Sequence, residues 1–236
     1  MKIFDVNSVN NIFDVSRNKP KKITPPLLYI RNFDKDVVEI GNFRVQETEF
    51  GIIKRLPNGK FDELIFDKPV NLHKAFQLVR KAQDKYNICY GGKKVNDRLN
   101  RLEESEFIDK FKGKKFIKFV GASSKISAFE LENGNVLKLS EKPHFALRDN
   151  VEDFDAPIWE SGNYDGKYFY YIQKRCDKSN ITLKDVEDFE KRIKSYGYNV
   201  TDMGLGQIGR GENGKLYLID YECAIPATED IEFLFD

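Results

Sequence analysis

The stretch Thr201–Ala224 reads TDMGLGQIGRGENGKLYLIDYECA, and the rest of the chain is organised around it. It opens on an acid, Asp202. A loop carrying Gly204, Gly206, Gly209 and Gly211 follows, then a turn at Glu212-Asn213-Gly214. Asn-Gly beside an apolar run is a hairpin signal. Leu216–Ile219 is therefore expected to return as a short strand, and it ends in a second acid, Asp220. Two acids on either side of such a turn can face one another across a small cleft. One can handle a proton while the other holds a metal.

Immediately upstream, Thr182 is followed three residues later by Asp185, the spacing of a capping box. Val186, Phe189, Ile193 and Tyr196 recur at helical spacing, and Gly197 ends the run. Further back the period changes. Lys115–Val120, Ile126–Leu131 and Asn135–Leu139 read as three antiparallel strands. Gly121-Ala122-Ser123-Ser124 is expected as the first turn between them and Asn133-Gly134 as the second. Pro143 to about Asp153 reads as a short helix. Pro157–Ser161 and Lys167–Lys174 form a hairpin around Asp165-Gly166, and the aromatic strand KYFYYIQK is expected inside the sheet.

The first half carries no catalytic signature. Residues 1 to about 26 are polar and end in a basic, proline-containing run, which reads as an arm or linker. Short extended runs follow at Leu27–Ile30, Val37–Ile40, Phe43–Glu47, Phe50–Arg55 and Glu63–Phe66, with a turn signal at Pro57-Asn58-Gly59. They predict a small antiparallel sheet. Asn71 is placed to cap a helix through Tyr86 that carries Leu72, Phe76, Val79 and Ala82 on one face. A second helical stretch runs from about 94 to 111 with Leu99, Leu102, Phe107 and Phe111, stopped by Gly113.

Composition narrows the class. With 236 residues the chain forms one large domain or two small ones. Charged residues are 33% of it, yet the net charge is +1, which gives no strong signal for nucleic acid. Cys89, Cys176 and Cys223 are widely spaced, so neither a zinc site nor a disulfide framework is suggested. No run approaches the roughly 20 apolar residues of a membrane span. The opening MKIFDVNSVNNIFDV lacks the apolar core of a signal peptide. The expectation is a cytoplasmic protein with reduced thiols and no membrane partner.

Taken in order, these parts resemble the protein-kinase-like fold, and most closely the minimal kinase-related proteins of phages and bacterial effectors. The resemblance covers about residues 114–224. In that family a glycine-containing hairpin covers the nucleotide phosphates and a strand lysine holds them. A catalytic-loop acid orients the acceptor, an amide five residues on holds a metal, and a later strand-end acid holds the main magnesium. The resemblance assigns the hairpin to Gly121, Ser123 and Ser124 and the strand lysine to Lys138. It makes Asp202 the loop acid, Gln207 the amide (207 − 202 = 5) and Asp220 the strand-end acid (220 − 202 = 18). Ile172–Cys176, with Gln173, becomes the hinge beside the adenine. ATP and Mg²⁺ are the implied cofactors.

The same comparison exposes departures. Val200-Thr201 stands where the family has His-Arg, Gln207 where it has Asn, and Tyr221-Glu222 where it has Phe-Gly. Glu152, 14 residues after Lys138, is the best candidate to pair with it, ahead of Glu141. Few residues follow Asp220, so the expectation is either a lobe completed by residues 1–112, another subunit or a host protein, or a chain that phosphorylates no protein substrate. The expected fold class is α+β: residues 1–112 as an accessory module of short strands and two helices, and 113–236 as a minimal kinase-like domain. That domain would pair an antiparallel sheet resembling the kinase N-terminal lobe with a reduced helical lobe. The expected function is phosphotransfer from Mg-ATP to an unknown acceptor. The alternative is a pseudokinase-type module that binds a partner protein, in the host cytoplasm if the source is a virus.

Overall fold

The structure is a computed structural model and describes residues 37–40, 43–56, 61–89, 91–123, 125–141 and 150–227. The expected N-terminal arm, the Leu27–Ile30 strand, the Pro57-Asn58-Gly59 turn, Ser124 and most of the expected 143–153 helix lie outside these residues.

The protein is α+β, built on a large antiparallel sheet. Among the described residues, nine strands form it: β1 (Val37–Ile40), β2 (Phe43–Thr48), β3 (Gly51–Arg55), β4 (Phe61–Val70), β5 (Phe116–Ala122), β6 (Ile126–Leu131), β7 (Asn135–Ser140), β8 (Ile158–Tyr164) and β9 (Tyr168–Lys174). Their order is β1-β2-β3-β4-β5-β6-β7-β9-β8. The short strands of the first half therefore do not close a small sheet of their own. β4 pairs with β5 through Leu64↔Phe119 and Ile65↔Lys118, so the ladder runs on across residue 113. The physical reason is the exposed row of backbone N–H and C=O groups on β4, which β5 satisfies.

Two helices lie between β4 and β5 in the chain. Helix α1 (Leu72–Tyr86) begins where it was expected: the Asn71 side chain accepts from the Lys74 N–H at 2.8 Å. Helix α2 (Gly92–Glu104) is shorter than its periodicity suggests. Ser105 turns to an extended backbone, and Glu106–Phe111 continue as a 3-10 segment. Phe107 and Phe111 still reach the core.

The helices cover one face of the sheet. Leu64, Phe116, Phe119, Phe129, Leu137, Leu139, Tyr170 and Ile172 meet Phe76, Val79, Leu99 and Leu102 there in one apolar cluster. Phe129 sits inside it, with ring centroids 5.4 Å from Phe76 and 5.1 Å from Phe119. Because side chains alternate across a strand, the neighbours of these residues project to the opposite face.

A smaller C-terminal unit follows β9. Helix α3 (Leu183–Ser195) carries the capping box as expected, Thr182 Oγ1 accepting from the Asp185 N–H at 3.1 Å while the Asp185 carboxylate accepts from the Thr182 N–H at 2.9 Å. Val186, Phe189 and Ile193 enter a second core with Phe154, Ile208 and Leu218. Tyr196, the last of the expected stripe, is exposed, because the helix has ended and Gly197 turns the chain away. Two small antiparallel pairs complete the unit: β10 (Tyr198–Val200) with β13 (Ala224–Pro226), and β11 (Ile208–Arg210) with β12 (Leu216–Leu218).

Phe129→Ala should cost about 3–5 kcal/mol, the usual range for deleting a buried ring. Thr182→Ala should cost about 1 kcal/mol, since it removes one half of a capping box. Urea unfolding of the two variants against the parent checks both values.

Candidate functional site

The site lies between the face of the sheet opposite the helices and the C-terminal unit. In β7, Leu137 and Leu139 point into the helix-covered core, so Lys138 points the other way. Its lateral neighbours follow from register: Gly121 pairs with Ala128, Ala128 with Lys138, and Lys138 with Tyr171. Two small residues thus leave a low floor beside the lysine. Gly121 has φ +140°, and nothing lies within 4 Å of the place a Cβ would take. A side chain there would be strained by the backbone and would fill that floor.

Lys138 crosses to the C-terminal unit. Its Nζ donates to the carbonyl of Ile219 and lies 5.2 Å from the centre of the Tyr171 ring. Burial pushes the ammonium down to about 8, while the neighbouring Asp220 carboxylate works in the opposite direction. Ile219 also receives the loop: its N–H donates to the carbonyl of Gln207 at 2.8 Å. One residue, immediately before Asp220, therefore ties together the strand lysine, the loop amide residue and the strand-end acid.

Asp202 comes to the same place from β10. Thr201 N–H donates to the Cys223 carbonyl at 3.0 Å, Thr201 Oγ1 to the Glu222 carbonyl at 3.2 Å, and the Cys223 thiol to the Asp202 carbonyl at 3.8 Å. Asp202 is exposed and has φ +46°, a left-handed conformation that aspartate tolerates better than most residues. Tyr221 anchors the segment after Asp220 by donating from its hydroxyl to the Ala156 carbonyl at 2.6 Å, and its ring meets Tyr171 edge-on at 5.6 Å.

Two residues that the sequence does not single out belong here. Glu222 is held above the usual carboxylate range by burial and by Asp220. Lys125, in the turn between β5 and β6, brings its Nζ within 3.9 Å of Glu222. The charge two positions after Asp220 is visible in the sequence, but nothing there places Lys125 opposite it. Of the acids considered for Lys138, Glu141 is engaged by Arg101, with Nε to Oε1 at 2.5 Å, and Glu152 is exposed. The carboxylates acting on Lys138 are Asp220 and Glu222.

The β5–β6 turn is tighter than expected, since Gly121 and Ala122 remain in β5. Ser123 N–H is used within the turn, donating to the Ile126 carbonyl at 2.9 Å, and the Ser123 hydroxyl accepts from the N–H groups of Lys125 and Ile126. Gly209, expected in the glycine-containing loop, lies in β11 and serves packing. A Cβ there would stand 2.6 Å from that of Cys176. This close approach lets the Asp177 and Arg210 backbones exchange hydrogen bonds of 2.8 and 2.7 Å.

Gln173 is buried on the face that carries Lys138, and its Nε2 has no hydrogen-bond partner among the described residues. Beside it, Glu63, Lys118 and Glu130 are buried together, with Arg175 closing the group: Lys118 lies 3.2 Å from Glu130, and Arg175 2.9 Å from Glu63. Burial works to raise Glu63, but Lys118, Arg175 and Lys54 outweigh it and hold it below its ordinary value. Glu130 stays above its ordinary value, because burial outweighs its two cations.

Among the described residues no three His, Cys, Asp or Glu side chains gather as a metal centre, and no helix is long and apolar enough to cross a membrane. No protein-family model and no curated protein matches this chain.

Amine-reactive labelling of Lys138, followed by mass spectrometry across pH, should show a midpoint near 8 rather than at the ordinary 10.5. Asp220→Asn should move it lower, because the carboxylate favours the charged form. The unfolded chain keeps the Lys138 proton to higher pH than the folded chain. Stability should therefore rise between about pH 8 and 10.5, and Lys138→Met should flatten that rise.

Proposed function

We propose that this chain is a minimal kinase-like phosphotransferase that binds Mg-ATP between the sheet and the C-terminal unit. The observation that carries the reading is the double contact at Ile219, where Lys138 and Gln207 meet directly before Asp220. A cation on the third strand of a three-strand meander, β5-β6-β7, beside an acid at the end of a short strand suits a phosphate and a metal together.

Each residue has a role its chemistry suits. The Lys138 ammonium neutralises phosphate oxygens as a point charge, and a bound phosphate raises its depressed affinity for the proton. Lys125 adds a second cation from the turn. The Asp220 carboxylate and the Gln207 amide oxygen would hold magnesium, since both are hard oxygen donors of the kind it takes. The bound metal supplies charge neutralisation at the phosphates. Asp202, exposed at the mouth of the site, orients the acceptor hydroxyl and takes its proton. The Ile172–Cys176 segment, with the buried Gln173, borders the base. The open space at Gly121 gives the nucleotide room.

The reading is tested by thermal shift with ATP, with and without Mg²⁺. The parent should be stabilised by ATP and more so with Mg²⁺. Asp220→Ala should lose the Mg²⁺-dependent part, and Lys138→Met most of the shift. Equal shifts in all three proteins, or none, would overturn the site. Label transfer from γ-labelled ATP that disappears in Asp202→Asn establishes the transferase. Binding without any Asp202-dependent transfer leaves a nucleotide-binding scaffold of the pseudokinase type.

A further inference from the structure

A buried arginine outside the site reaches its turn. Arg98, on the inner side of α2, is 2% exposed. Its Nε donates to Ser127 Oγ at 3.2 Å. Its Nη2 donates to the same Oγ at 2.8 Å, to the Ile126 carbonyl at 2.9 Å and to the Ser123 carbonyl at 3.2 Å. The guanidinium thus spans both ends of the β5–β6 turn from beneath. Burial pushes Arg98 down to about 10, although Glu141 nearby favours its charge. A planar guanidinium holds its donors in fixed directions, whereas an ammonium on a flexible stem is less pre-organised and an apolar side chain donates nothing.

We infer that Arg98 is a positioning residue: the α1–α2 hairpin, through this guanidinium, sets the conformation of the β5–β6 turn and so the affinity for nucleotide phosphates. Three observations meet in it. The acceptors at Ser123 and Ile126 are the two ends of the turn. Ser123 and Ile126 are also hydrogen-bonded to one another, so holding both carbonyls fixes the loop they close. The turn's other described residue, Lys125, is the one that faces Glu222. The first half of the chain therefore extends the sheet and also holds the turn from its far side. The inference rests on the nucleotide reading only for its second part.

The experiment therefore has two arms, both on the full chain with Arg98→Lys, Arg98→Met and Ser127→Ala. The first is hydrogen exchange at the Lys125 and Ile126 amides without nucleotide. Exchange should rise about tenfold or more in Arg98→Lys, as expected when charge-assisted bonds to a turn are lost, while the strand amides of β7 stay protected. Ser127→Ala, which leaves the carbonyl bonds in place, should show a smaller rise. Unchanged exchange in both arginine variants, or an equal rise throughout the sheet, would overturn the positioning role. The second arm compares dissociation constants for ATP and AMP. Arg98→Lys should weaken ATP about tenfold and AMP less than about twofold. Equal weakening of both would reduce Arg98 to a structural residue. A parent chain that binds neither nucleotide would overturn the link to phosphate, and the exchange arm would still decide whether Arg98 holds the turn.

Discussion

The contact between the Lys138 ammonium and the Ile219 carbonyl ties the large sheet to the C-terminal unit. One core lies between the sheet and its two helices, and the other lies under α3. β7 serves the first core through Leu137 and Leu139, and by alternation it must present Lys138 to the second unit. A cation in so crowded a place is costly unless something offsets it. Here the offset is a backbone oxygen and the carboxylate that follows it. The position of Asp220 is thus coupled to the strand geometry of a sheet whose lysine stands 81 residues before Ile219.

The remainder of the face opposite the helices carries a second solution to the same problem. Glu63 from β4, Lys118 from β5, Glu130 from β6 and Arg175 just after β9 sit at the junction between the first four strands and the rest of the sheet. Breaking such a group by removing one member leaves a buried charge, which is costly. The group therefore fixes where the chain leaves β9 for the C-terminal unit. From there Asp177 bridges to Arg210, an approach that Gly209 permits by having no side chain. The path from β9 to the loop of Gln207 is held at both ends.

These constraints explain why the first half of the chain is more than an appendage. Its strands supply the backbone partners of β5, its helices cover the apolar face, and Arg98 reaches the turn on the site's side. The buried Ser127 hydroxyl would otherwise lose this donor, while the Ile126 carbonyl, which already accepts from the Ser123 N–H, gains a second one. An unpaired buried acceptor costs more than an ordinary hydrogen bond contributes.

The sequence by itself determined the local elements, because their causes are local. Asn71 and Thr182 cap helices through side chains three residues from their partners, Asn133-Gly134 and Asp165-Gly166 turn hairpins, and Gly197 stops a helix. It also singled out Lys138, Gln207 and Asp220, whose backbone or side chain meets at or beside Ile219, and Asp202, which reaches the neighbouring Cys223. Tertiary structure alone decided what depends on distant pairing. That β4 joins β5, that Lys125 faces Glu222, and that Arg175 closes on Glu63 are set by sheet register and burial across as many as 112 residues. No periodicity in the chain encodes such separations. The packed sheet produces them, because each unsatisfied edge and each buried charge must find its partner wherever the fold has placed it.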